Sequence, residues 1–154
     1  MKKILSIVLM LFTAILSFAA ENYHIGVVTG SVSQSEDSLR GAEALIKKYG
    51  DANNGGKIVH ITYPDNFMQE METTISQMTS LANDPKMKAV VVAEAIPGTV
   101  EAFRKIREKR PDIVLIANVA HEDPAMIEEV ADLVTNVDNV SRGYLMIKAA
   151  QKMG

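Results

Sequence analysis

From Tyr23 onward, short β-branched runs alternate with amphipathic segments, which confines the chain to βαβ units on a parallel sheet. The β-branched runs cover 25–29, 57–63, 89–93, 113–117 and 133–136. The first is apolar on both faces, as expected for a strand of a sheet covered on two sides. Helical spacing and stop signals predict helices over about 35–49, 66–82, 100–110, 123–130 and 140–153. Ser33 with Glu36 and Asn66 with Gln69 have capping-box spacing, Asp123-Pro124 is an N-cap and first-turn pair, and Asp138 or Asn139 caps the last helix. Gly50 and Gly154 stand where helix stops are expected. Five strands joined by right-handed crossovers give an open, doubly wound, Rossmann-like α/β sheet in the order 2-1-3-4-5.

The amino-terminal segment stands outside that pattern. Lys2 and Lys3 precede an apolar run from Ile4 to Leu16 that ends in Ser17-Phe18-Ala19-Ala20, the layout of a secretory signal peptide. Small residues at Ser17 and Ala19 place the cut after Ala19, so 1–19 is the expected signal and 20–154 one α/β domain. The run is shorter than the ~20 residues a spanning helix needs. A formal charge of −3, with the positive charges spread along helices, argues against a nucleic-acid partner. The chain has no cysteine, which excludes disulfides, a thiolate metal site, a cysteine nucleophile and an acylated lipoprotein amino terminus. The expected location is the bacterial periplasm.

At the carboxyl ends of the strands a parallel sheet opens a crevice, and the first loop there is polar, small and uncharged. Its hydroxyls and backbone N–H groups suit a carboxylate, a phosphate or a polyol. Catalytic patterns fit poorly. Ser31 has glycine on one side only, so it is not in a nucleophile elbow, and neither a dinucleotide nor a phosphate-loop glycine pattern occurs. His24, His60 and His121 share no metal spacing, and in His121-Glu122-Asp123 the aspartate is already used by a helix start. Met68, Met71 and Met78 read as packing at a helix interface rather than a soft metal site. The basic face of Arg104, Lys105, Arg107 and Lys109 reads as solvated surface, with partner docking as the alternative. No cofactor, no metal and no catalytic residue is expected.

A signal peptide, an opening strand of Ile25-Gly26-Val27-Val28 type, a polar loop and βα units ending in Asp138-Asn139-Val140-Ser141-Arg142-Gly143 resemble the amino-terminal lobe of a type I periplasmic solute-binding protein. Within that group the chain most resembles a poorly characterised bacterial family of predicted binding proteins, a domain of unknown function. The resemblance implies two similar lobes joined by a hinge and closing on a small polar ligand, commonly for an ABC permease; the same fold also serves receptors and sugar-responsive regulators. It implies cleft contacts from Gly30, Ser31, Ser33, Gln34, Ser35, Glu94, Ile96, Asn118, His121 and Asp138. It also implies that the carboxy-terminal lobe is missing here, leaving a half-site that binds weakly. Aromatic residues are few, with only Tyr63 and Phe67 near the expected rim, which argues against a sugar. Two other classes stand beside binding and import: a sensor docking on a membrane partner, and a hydrolase with Glu94 or His121 as base, for which the sequence supplies no nucleophile.

Overall fold

The computed structural model describes residues 23–153. The expected signal peptide and the Gly154 stop lie outside the described residues. Strand β1 (His24–Thr29) is followed by α1 (Val32–Tyr49), β2 (Ile58–Thr62), α2 (Met71–Ser80), β3 (Met87–Val92), α3 (Thr99–Lys109), β4 (Val114–Asn118), α4 (Pro124–Glu128), β5 (Leu133–Thr135) and α5 (Asn139–Met153). Short 3-10 turns follow α1 and α2 at Ala52–Asn54 and Leu81–Asn83. The sheet is parallel throughout, in the order β2-β1-β3-β4-β5 that the sequence predicts.

Period-two alternation divides β1 between two cores of unequal size. Val28 belongs to the larger, with Met78 of α2, Phe103 and Ile106 of α3, Leu115 of β4 and Ile127 of α4, all fully buried. Each such side chain contributes about 1.5–3 kcal/mol on leaving water. Val27, on the opposite face, meets only Ala42 of α1 and Ile58, with Ile25 and Ile46 at the edge. On α1, Leu45 and Tyr49 are exposed although they recur at helical spacing with the buried Ala42. Neither core takes a residue from α5, whose Tyr144, Leu145, Met146 and Ile147 are all more than 60% exposed. Val114 of β4 and Leu133 of β5 are exposed as well, so the sheet is thickly covered on one face and thinly on the other.

Two helix starts differ from the expected ones. A first turn, Val32–Gln34, is tied to the Ser31 carbonyl by the Gln34 and Ser35 amides, and extended backbone at Ser35 (φ −159°, ψ 79°) then breaks it from the rest of α1. Ser33 therefore caps nothing; it lies inside that turn. The second helix begins at Met71 rather than near Asn66, because the Asn66 carbonyl accepts from Gln69 and Glu70 in a separate turn. Asp123 caps α4 as expected, accepting from the Ala125 amide at 3.0 Å.

Candidate functional site

The β1–β2 ladder runs one residue past the strands, with the Tyr63 amide donating to the Thr29 carbonyl, and this carries the Tyr63 ring over Gly30. A Cβ on Gly30 would lie 2.8 Å from the Tyr63 hydroxyl oxygen and 2.9 Å from Gln34 Cβ, so only glycine fits. Tyr63 is buried, packs edge-on against Phe67 at 5.6 Å, and donates its hydroxyl to Glu94 Oε2 at 2.8 Å. Glu94 follows the end of β3. Its other oxygen accepts from Ser38 at 2.8 Å and from Ser35, whose hydroxyl the break in α1 places beside it.

Burial pushes the Glu94 carboxyl up, but the hydrogen bonds from Ser35, Ser38 and Tyr63, together with nearby His121, outweigh it and hold the acid below its ordinary value. Burial and then the Glu94 contact push the Tyr63 phenol well above its usual range, so it stays a donor. The four side chains form a hydrogen-bonded unit, a carboxylate with three hydroxyl donors.

Around this unit opens a cleft of about 500 Å³, lined by Gln34, Tyr63, Phe67, Met68, Glu94, Ile96, Pro97, Val119 and His121. It sits over the carboxyl ends of β1, β3 and β4, at the point between β1 and β3 where strand order reverses. Its far wall is fixed by the loops after β3 and β4. The Ala95 amide donates to Asn118 and Val119 carbonyls, and the His121 amide returns to Ala95. Val119 stands at φ 47°, in left-handed backbone that costs a β-branched residue of the order of 1–3 kcal/mol. Its amide on the Thr135 carbonyl helps hold it there. Glu122 spans the two loops, with its oxygens accepting from the Gly98 and Val100 amides, both at 2.9 Å, at the start of α3. Glu122 and Asp123 are thus both engaged at helix starts.

Of the ten residues expected at the cleft, Gln34, Glu94, Ile96 and His121 line it, and Ser35 supports Glu94 from behind. Gly30 acts by leaving room for Tyr63. Ser31 and Ser33 lie elsewhere: Ser31 donates to Asp65, and Ser33 bonds Ser31 at 2.8 Å. The expectation that this loop offers spare hydroxyls to an anion is therefore corrected, since its donors are taken up by Asp65 and Glu94. Asn118 turns toward β5 and accepts from Thr135 at 2.6 Å, and Asp138 caps α5 by accepting from the Ser141 amide at 3.0 Å; neither lines the cleft. Sequence reasoning misses Met68 at the site and marks Tyr63 and Phe67 only as aromatics near the rim. A signal for Tyr63 does exist, in an aromatic one residue beyond an apolar strand on the ligand side of the sheet.

The basic face of α3 is largely neutralised. Arg104 and Lys105 lie within 4 Å of Glu101, Arg104 also reaches Glu129, and Arg107 pairs with Asp132 at 2.9 Å.

A family model described as "Protein of unknown function (DUF3798)" matches residues 23–154. An uncharacterised protein of Treponema pallidum (strain Nichols) is 44% identical over 138 residues, covering 88% of this chain and 62% of the relative. A second uncharacterised protein of the same organism is 42% identical over 77 residues, half of this chain and 36% of the relative. Among solved structures, a "Putative transcriptional regulator" from Clostridium difficile 630 superposes with a TM-score of 0.73 at 26% identity, over 86% of this chain and 39% of that one. The chain thus spans less than two thirds of the length of these relatives.

Proposed function

We propose that this chain, which belongs to the DUF3798 family, binds a small polar solute in the cleft over β1, β3 and β4. One observation carries the reading: the cleft lies at the switch point of a parallel sheet, and its wall is held in place by the Ser35–Ser38–Tyr63–Glu94 unit. Such a wall costs little to order when a ligand arrives. The chemistry favours binding over turnover. Glu94 is ionised but has three hydroxyl donors on it, which makes it a weak base, and Tyr63 keeps its proton.

The fuller form of the proposal is a periplasmic two-lobed clamp delivering its solute to an ABC importer, with this lobe as one jaw. The exposed apolar side chains of α5 support it, because a helix with Leu145, Met146 and Ile147 turned away from both cores is suited to pack on a further lobe. The greater length of the relatives is in keeping with that. A sensing role has its own support in the structural neighbour, described as a regulator. The paired charges on α3 count against that helix as the docking surface.

A thermal-shift screen of the full chain against amino acids, nucleosides, sugars, amines and carboxylates tests the reading. A ligand at 100 times its Kd should stabilise by about 2.7 kcal/mol. A saturable rise in Tm that Ile96→Trp removes is the expected result. No rise with any class, together with turnover of a simple ester panel, would overturn it.

A further inference from the structure

We propose that the solute is a small organic cation, with an ammonium group against Glu94 Oε2 and a short apolar body against Phe67, Ile96 and Val119. The proposal rests on the reading of the cleft as a solute site and names the ligand class. Four observations carry it. First, among the described residues the cleft wall contains no lysine or arginine, His121 is its one basic side chain and Glu94 its one acid. Second, the hydroxyls nearest the cleft point their protons at carboxylates: Ser31 at Asp65, and Ser35, Ser38 and Tyr63 at Glu94. The Gln34 amide nitrogen is likewise on the Asp65 carbonyl at 2.8 Å. An anionic ligand would meet a carboxylate with few donors to spare, and a polyol would find few partners for its several hydroxyls.

Third, the two Glu94 oxygens are not equally loaded. Among the described residues Oε1 accepts from two hydroxyls and Oε2 from one, whereas a carboxylate offers about four acceptor positions. One position therefore remains on Oε2, the oxygen that the Tyr63 hydroxyl already brings to the aromatic side of the cleft. Fourth, apart from Gln34 and His121 the rest of the wall is apolar or aromatic. Tyr63 and Phe67 stand edge to face at 77°, and Met68, Ile96, Pro97 and Val119 complete it. Aromatic faces beside a carboxylate suit ammonium groups, and a wall of low polarity strengthens the charge pairing. Glu94 is ready for that role because its hydrogen bonds keep it ionised despite its burial.

The test uses one frame with three charges: n-pentylamine, 1-pentanol and pentanoate, with putrescine and choline as further cations, titrated into the full chain by amide NMR. The amine should bind at least about ten-fold more tightly than the alcohol or the acid. Glu94→Gln should remove about ten-fold of amine affinity, which is the loss of one charged partner. Met68→Lys changes an exposed side chain and adds a positive charge to the wall, so it reads the same effect if Glu94→Gln fails to fold. It should weaken amine binding about five-fold. Pentanoate binding as tightly as the amine, or an amine preference that survives both substitutions, would overturn the cation assignment. Glucose or adenosine is titrated alongside: binding of either at the cleft with no amine response overturns the cation assignment and leaves solute binding standing. No response to any of them overturns both.

Discussion

Replacing Gly30 with alanine isolates the contact on which the cleft wall depends. Gly30 does not occupy left-handed backbone, so alanine is conformationally allowed there and gains about 0.4–1 kcal/mol by restricting the unfolded chain. Against that gain stands a methyl group 2.8 Å from the Tyr63 oxygen and 3.2 Å from its Cζ. Tyr63 is buried and packed on Phe67, so the ring has little freedom to retreat. Overpacking of this kind costs about 1–3 kcal/mol. Moving the ring also weakens its hydrogen bond to the Glu94 carboxylate, a class of bond worth about 1.5–3 kcal/mol. The net expectation is a loss of about 3 kcal/mol, or a Tm lower by roughly 10 °C. Gly41, exposed on α1 with open space for 4 Å around the point a Cβ would occupy, is the control, and Gly41→Ala should stabilise by about 0.5–1 kcal/mol. Urea melts of both variants, and of Gly30→Ala in a Tyr63→Phe background, complete the assay. Removing the hydroxyl relieves the closest contact, so the two substitutions should cost less together than the sum of each alone. Gly30→Ala as stable as Gly41→Ala, or strict additivity with Tyr63→Phe, would show that the Gly30–Tyr63 approach does not shape the cleft.

Further outcomes follow from other parts of the molecule. Glu122→Ala leaves the Gly98 and Val100 amides without their acceptor and should cost about 1–2 kcal/mol by urea denaturation; a loss below about 0.3 kcal/mol would contradict the capping role. Burial lowers the pKa of His60 from 6.5, with Glu43 opposing, so the unfolded chain binds more protons there and the associated stability falls as pH drops below about 6.5. Glu94, held below its ordinary 4.5, and Asp132, held down by the Leu115 amide and Arg107, act in a second window, where stability present above about pH 4.5 is lost as pH falls through their folded values. The urea midpoint should therefore decline in two steps between pH 7 and 3, and a flat midpoint would oppose this. Ile147→Lys on α5 should change the stability of this lobe by less than about 0.5 kcal/mol in a thermal melt, because Ile147 belongs to neither core; a large loss would mean that α5 packs on the sheet.

The sheet order is readable because the five β-branched runs are separated by crossover-length segments, and handedness leaves few ways to wind them. Helix starts are less readable where tertiary contacts set them. The Ser33/Glu36 and Asn66/Gln69 spacings both look like caps, yet Asn66 uses its backbone carbonyl in a turn, and the break at Ser35 serves to bring its hydroxyl to Glu94, a residue 59 positions away. At the cleft, strand-end logic reaches Gln34, Glu94, Ile96 and His121 because position along a parallel strand decides which end faces the crevice. It fails for Asn118 and Asp138 because it does not tell which way a polar side chain turns; one bonds the neighbouring strand and the other its own helix. Most of all, the first-loop serines look like ligand donors until their acceptors are known. Asp65 and Glu94 are distant in sequence, and they turn a rim that reads as neutral into one that holds negative charge.

The most direct test is to map where a solute binds. The isotope-labelled chain is titrated with the tightest-binding member of the screened panel while every assigned amide is followed. Shifts should concentrate in 30–38, 63–68, 94–98 and 119–122, around the Glu94 unit and the loops that face it. Shifts concentrated instead at the opposite ends of the strands, in 84–88 and 110–114, would contradict the placement of the site.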